Sequence, residues 1–367
     1  MKKLLALLFI VSLSACSGDK DQQEVGEEKK EGNAKSTSFL PDATGESGEI
    51  VIIINKRKYD GPLGDAIKEV FRETVPGLTR PEPMFTIRVI EPFEFNRIFR
   101  VARNLVYVTS FEGNSASDKW LQGTFSENSR DRIFNDSDLF MQTSEDQYSK
   151  GQKIIQLFGK DDATLIKNLK EKKNLVQNFF NIAEKQRLAR TIKMSTASKG
   201  ILRKVNDKLG VNIKIPAGYE LSLLEDDFMW VRALPSVGPS KNLFVYSKPY
   251  TSQDEFKYEN IIKLRNEAGK KYIYGDPENK ESYMITETEY MDPVFRNINF
   301  NDQYTVEMKG AWKTNNFSVG GTFVSYTFVD ESTERLYYIE GFVIHPSEDH
   351  RELIREMESL LTTFRVS

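Results

Sequence analysis

Apolar and polar positions divide the chain into stretches with different periods. Leu4 to Val11 is a short apolar run behind Lys2 and Lys3, followed by the small residues Ser14 and Ala15 and then Cys16. The run is too short to cross a bilayer, and its order of charge, apolar core and small residues is that of a secretory signal over 1–15. From Ser17 to about Gly48, large apolar residues nearly vanish among Gly, Ser, Glu and Lys. Such a stretch has little to bury, so 16–48 reads as a flexible tether. A folded body begins at Glu49. Ile50-Val51-Ile52-Ile53-Ile54 is a continuous β-branched run, the mark of a strand covered on both faces. Leu63, Ile67, Val70 and Phe71 recur at helical spacing after Gly61-Pro62, which predicts a helix over 63–73. Strands over 84–90 and 105–109, with a helix over 93–102 between them, extend the alternation. That order favours a sheet with helices packed on it and crossovers of normal hand.

Phe111 to Asp138 is polar, with Trp120, Phe125 and Phe134 spaced through it, and reads as one long loop. Two strands, 139–143 and 153–158, predict a hairpin. Asp161 or Asp162 then caps a long helix over 163–194, and Gly210 ends a second helix over 199–209. The second half is a succession of strands joined by short turns, at 211–215, 220–224, 228–233, 243–247, 282–286, 304–312, 322–330 and 336–344. One helix, 254–271, interrupts them. A last amphipathic helix follows Pro346, capped by Ser347 or Asp349, with Leu353, Ile354, Met357, Leu360 and Leu361 turned inward. The fold class predicted is α+β. It comprises two packed subdomains, 49–195 and 196–367, each a mostly antiparallel sheet with helices. The segments starting LFMQTSEDQ (Leu139) and VSYTFVDES (Val324) share the order strand, acidic turn, strand, helix. Those starting VIIINKRKY (Val51) and LFVYSKPY (Leu243) share strand, lysine-tyrosine loop, helix, and together the echoes point to a diverged internal duplication.

Charge narrows the possible partners. The formal charge of −3 becomes −5 once a signal carrying Lys2 and Lys3 is removed, so a general nucleic-acid role is not expected. Between Ser17 and Glu49 acids outnumber lysines, which suits a solvated spacer. Cys16 is the single cysteine, so a body without it has no disulfide, thiol nucleophile or cysteine metal ligand.

Most chemistries then fail on residue type or spacing. The turn GPLGDA, over 61–66, opens a helix but lacks the lysine and hydroxyl of a nucleotide loop and the glycine spacing of a dinucleotide fingerprint. The two histidines, His345 and His350, flank Pro346 and do not form a helical zinc pair, so no metal site and no cofactor are predicted. The GxSxG turn of serine hydrolases is absent. Carboxylate catalysis stays open, because two acids suffice for a glycosidase; Asp226-Asp227 near Trp230, or Asp131 with Asp136, are the pairs to inspect. In FNRIFRVARN, Arg97, Arg100 and Arg103 fall three apart, placing them on one helix face as a candidate anion-binding set. The region 160–204 adds twelve basic residues against four acids. It reads as a solvated face or a docking surface for an anionic partner or headgroups. Trp120, Trp230 and Trp312 read as core aromatics or as stacking platforms for sugar rings.

Two resemblances add to these readings. Leu13-Ser14-Ala15-Cys16 resembles the lipobox of bacterial lipoproteins, which implies cleavage before Cys16 and acylation of its thiol and amine. Several acyl chains bind a bilayer stably where one is marginal, at about 0.8 kcal/mol per buried methylene. The segments GPLGDA, PGLTRPEPMF, FNRIFRVARNLVYV and GGTFVSYTFVDE (starting at Gly61, Pro76, Phe95 and Gly320) together resemble a lipoprotein family of Bacteroidota bacteria catalogued as a domain of unknown function. That resemblance spans the chain beyond the tether and brings no catalytic residues with it. The expectation is an envelope protein held by lipid on Cys16, at the outer membrane, on its periplasmic side or at the cell surface. It would act as a binding or assembly module for an envelope protein or anionic glycan; the alternative is a carboxylate-dependent hydrolase of envelope polysaccharide.

Overall fold

The β-branched run at Ile50 is buried along its whole length. Ile50, Ile52 and Ile54 pack on one side with Leu63, Ile67, Phe71, Leu165 and Phe180, while Val51 and Ile53 pack on the other with Phe95, Leu105 and Leu121. A strand with apolar residues on both faces needs cover on both, and the N-terminal half supplies it. The structure is a computed structural model that describes residues 39–367 apart from 277, 278 and 347. Residues 16–38 of the expected tether, Cys16 included, lie outside the described residues. Its last residues are not free but bound to the N-terminal half, Asp42 bridging Lys150, Thr44 bridging Ala102 and Ser47 donating to Glu184.

The N-terminal elements are β1 (Glu49–Ile53), α1 (Lys56–Tyr59), α2 (Pro62–Phe71), β2 (Thr86–Ile90), α3 (Arg97–Arg100), β3 (Asn104–Ser110), α4 (Ala116–Gln122), α5 (Glu127–Asn135), β4 (Met141–Glu145), β5 (Lys153–Gly159), α6 (Asp162–Glu171) and α7 (Lys173–Met194). Their sheet has the order β2-β1-β3-β5-β4. The β1–β2, β1–β3 and β3–β5 pairs are parallel and only β4–β5 is antiparallel. The α+β class holds, but this sheet is mixed rather than mostly antiparallel, because parallel neighbours need long crossovers and the helical segments between these strands provide them. Three helical expectations change as well. The helix expected over 93–102 breaks into a 3₁₀ turn, Pro92–Glu94, and the four-residue α3. Phe95 sinks between them against the Tyr107 ring, and the Asn96 side chain accepts from the Ile98 amide to start α3 afresh. The expected long loop contains α4 and α5, whose first turns are capped by Ser115 and Ser126. The expected helix 163–194 is α6 and α7, separated at Lys172, where φ is −117°.

The C-terminal elements are α8 (Lys199–Leu209), β6 (Val211–Asn212), β7 (Glu220–Leu224), β8 (Phe228–Ala233), β9 (Ser240–Pro249), α9 (Tyr258–Tyr272), β10 (Tyr274–Asp276), β11 (Asn279–Thr286), β12 (Val294–Phe300), β13 (Gln303–Thr314), β14 (Gly320–Asp330), β15 (Arg335–Ile344), α10 (Arg351–Leu361) and β16 (Arg365–Val366). Nine strands form an antiparallel half-barrel in the order β10-β11-β13-β14-β15-β9-β8-β7, with β12 also paired to β13. The shortened β6 pairs with β16 instead. The internal echo is one of local order: β4–β5–α6 and β14–β15–α10 are both hairpins leading into helices. It does not extend to the sheets, since β1 pairs in parallel and β9 antiparallel.

Alternation along β15 sets the two layers of this half. Tyr338 and Phe342 face α9 with Phe244, Ile261 and Phe323. Tyr337, Ile339 and Val343 face α10 with Met357, Leu360 and Leu361. On the α9 side Arg265 is fully buried and donates to both carboxylate oxygens of Glu340 at 2.8 Å, with its guanidinium 3.9 Å from the Phe323 ring centre. The α10 helix reaches both halves. A hook, residues 73–84, leaves the first sheet and puts Leu78 into the second core. Its Glu82 carboxylate accepts from the His350 and Arg351 amides at 2.7 and 2.8 Å, capping α10. The expected caps were Ser347 and Asp349; the former lies outside the described residues, and Glu82 takes the capping role from far along the chain. Arg355 donates to the Met84 carbonyl and to Asn181 on α7. Glu358 accepts from Lys185 of α7 and Lys309 of β13.

Two predictions follow from these buried charges. Burial alone would push the Glu358 carboxyl up, but Lys309 and Lys185 outweigh it and hold it at about 2, below the ordinary 4.5. Its contribution to stability, on the order of 3 kcal/mol, is therefore complete above the unfolded value and lost as pH falls toward 2. Urea unfolding across that range is expected to show a shallower loss for Glu358→Gln than for the parent chain; equal slopes would refute it. Glu340→Ala strands Arg265 without its acid and is expected to cost about 3–5 kcal/mol. The paired change Arg265→Met with Glu340→Leu is expected to cost clearly less in the same measurement.

Candidate functional site

The α7 helix carries Glu184, Arg187 and Arg190 at spacing three, hence on one face. That face meets the starts of β3 and β5. Glu184 is fully buried and accepts from Asn104 Nδ2 at 2.8 Å, Arg187 Nη1 at 2.6 Å and Ser47 Oγ at 3.3 Å. Arg187 spends its remaining donors on the Gly151 carbonyl, the Arg103 carbonyl and Asn104 Oδ1. It is a clamp between helix and sheet, with no donor left over for a ligand.

Arg103 and Arg190 are placed differently. With Asp42, Lys150 and Arg187 they line a cleft of about 250 Å³ over Glu184. Neither makes an ion pair or side-chain hydrogen bond among the described residues. Arg187 is lowered below its ordinary value by burial, Glu184 opposes this, and Arg103 and Arg190 then add their repulsion. Three guanidiniums thus crowd one carboxylate that is already saturated. Two planar forks with no acid of their own, at the mouth of a cleft, suit a carboxylate or phosphate group. The arrangement has the charge and geometry to take up an anion.

Of the arginines expected on one helix face, only Arg103 enters this cleft. The α3 helix ends at Arg100 with Val101 as its cap, so Arg103 lies past the helix, just before β3, and the expected shared face is lost where α3 ends. Arg97 is exposed, and the Arg100 guanidinium lies 5.8 and 5.7 Å from the Phe95 and Tyr148 ring centres. Arg187 and Arg190 fell within the cationic region 160–204, and their spacing from Glu184 is the signal that singles them out. Lipidation at Cys16 lies outside the described residues.

The acids considered for hydrolysis do not assemble. Asp226 is bound by Lys208 and Asp227 by Tyr272 and Lys271, while Asp131 is exposed on α5 and Asp136 caps its end. Glu112 and Asp162 do meet. Burial and the hydrogen bond to Asp162 raise the Glu112 carboxyl, with Lys58 beside both. Carboxyls hydrogen-bonded to each other leave no room for the glycosidic bond that hydrolysis must place between them. His350 is buried and lies against Thr322 and Thr79 through Nδ1 and the His345 carbonyl through Nε2. Among the described residues no group of acids, histidines or cysteines could hold a metal ion. Nor is any described helix long and apolar enough to cross a membrane.

No curated protein matches the chain. Among solved structures it is similar to the Saccharomyces cerevisiae Ran-binding protein Mog1p at 7% identity and a TM-score of 0.28, over 43% of this chain and 90% of that one. A Mog1 mutant gives 8% identity, a TM-score of 0.28 and the same coverage. A structure from Bacteroides thetaiotaomicron VPI-5482 gives 9% identity and a TM-score of 0.23, over 43% of this chain and 45% of that one. Likenesses this slight say nothing of the site. Residues 43–193 match a family described as Domain of unknown function (DUF8532), and residues 198–363 match one described as Domain of unknown function (DUF4837). The chain therefore carries two domains of unknown function in tandem, one containing the parallel strands and the cleft, the other the half-barrel.

Proposed function

We propose that this chain is a lipid-anchored envelope protein that binds an anionic partner, a glycan or an envelope protein, at the cleft between Arg103 and Arg190. The observation that carries the binding role is the pair of guanidiniums left without acid partners beside Arg187. The lipobox-like Leu13-Ser14-Ala15-Cys16 supports the anchor, and with it a place at the outer membrane. Within this reading the partner is held by charge-assisted forks, and the protein acts by localisation and recognition rather than by bond cleavage. The competing hydrolase of envelope polysaccharide finds no support in the acids first singled out for it.

The anchor is tested by mass spectrometry of the mature N-terminus and by fractionation of Cys16→Ala. Acyl mass on Cys16 and release of the variant from membranes are expected, whereas an intact leader or an unmodified cysteine would sink the placement. The cleft is tested by titration with an oligogalacturonate at low salt. Arg103→Gln with Arg190→Gln is expected to weaken binding by about 10- to 100-fold, and added salt to weaken it further. That double variant is expected to unfold no earlier than the parent, whereas Arg187→Gln, which leaves Glu184 buried without its cation, is expected to lose about 3 kcal/mol. Binding that is absent, or indifferent to the double change, overturns the recognition role.

A further inference from the structure

The half-barrel holds a second candidate that owes nothing to the cationic cleft. Helix α9 covers the inward rows of the sheet but ends at Tyr272, short of the last rows of β8, β9 and β15. There the α9-facing positions are left around a partly enclosed cavity of about 190 Å³. Its walls are Trp230, Ile273, Met284, Trp312 and Phe342, all but Trp230 buried. The polar ends of the two indoles are already used, Trp230 Nε1 on Asn242 Oδ1 at 3.1 Å and Trp312 Nε1 on the Val343 carbonyl at 3.4 Å. These five side chains make one wall apolar, while Ser240, Asn242, Tyr274 and Thr314 line the rest of the cavity.

One charge stands beside that apolar wall. Arg232 lies with its guanidinium 5.5 Å from the Trp230 ring centre, and its Nε is buried with no hydrogen-bond partner. Among the described residues it makes no ion pair. An unsatisfied buried guanidinium N–H costs free energy that an acceptor would return, and a cation in an apolar wall selects an anion attached to something apolar. An apolar cavity of about 150 Å³ takes up benzene, so this one has room for a single ring or a short alkyl chain. Leu234, half-exposed, stands at the rim and extends the apolar surface outward.

We propose that this cavity binds a small amphiphilic carboxylate, its chain between Trp230, Trp312 and Phe342 and its carboxylate on Arg232. Two of the three tryptophans in the chain line the site, so intrinsic fluorescence reads it directly. Full-length protein titrated with octanoate is expected to give a saturable change in tryptophan emission, with octan-1-ol at least about tenfold weaker. Arg232→Gln is expected to lower octanoate affinity to the octanol level, and Trp230→Phe to remove most of the signal. No saturable change at millimolar octanoate, equal affinity for acid and alcohol, or unchanged octanoate binding by Arg232→Gln each overturns the proposal. The acid-against-alcohol comparison on the unaltered chain decides the matter if the variant does not fold.

Discussion

A helix with a buried carboxylate at each end joins the two halves of this protein. Glu82 arrives from the N-terminal half to cap α10, and Glu358 on α10 takes one lysine from each half. Between those points Ile354, Met357, Leu360 and Leu361 complete the apolar face of the half-barrel. Parting the halves would take Glu82 from the start of α10 and Lys185 from Glu358, leaving Glu358 with Lys309 alone. At Gly341 the fit is close enough that a Cβ would come within 2.6 Å of Met357 Cβ, so α10 lies directly on the sheet backbone. The halves therefore share a wall.

That shared wall leaves both candidate sites at the periphery. The cationic cleft lies where α7 crosses the starts of β3 and β5, and the apolar cavity lies beyond the end of α9. The α7 helix takes part in both the wall and the cleft, giving Lys185 to Glu358 and Glu184, Arg187 and Arg190 to the cleft. Its position is thus fixed from both sides, by Lys185 at the wall and by Glu184 and Arg187 at the cleft. The ion pair of Arg265 and Glu340 does similar work for α9, fixing the helix whose end leaves the cavity open.

Local signals in the sequence suffice where a short-range interaction decides the outcome. The β-branched run at Ile50, the hairpin of β4 and β5, and the glycine that ends α8 at Gly210 all follow from spacing and backbone preference. The helix starts at Ser115 and Ser126 lie inside a stretch so polar that it reads as one loop, and their capping is seen only in the structure. The break in the arginine helix is the opposite case. Periodicity continues through Phe95, but the pocket beside Tyr107 and Trp120 draws that ring inward, and the backbone follows.

The amino-acid order alone determined the α+β class, the apolar faces and the presence of a cationic region, because each depends on residues a few positions apart. Tertiary structure alone decided which charges are spent and which are spare. Arg187 and Arg103 look alike in sequence, and the approach of Gly151 and Asn104 from other elements, with Glu184 beside it on α7, consumes one and leaves the other open. The same holds for Glu82, whose capping of α10 spans more than two hundred residues. Coulomb and hydrogen-bond energies depend on distance in space, which spacing along the chain does not encode.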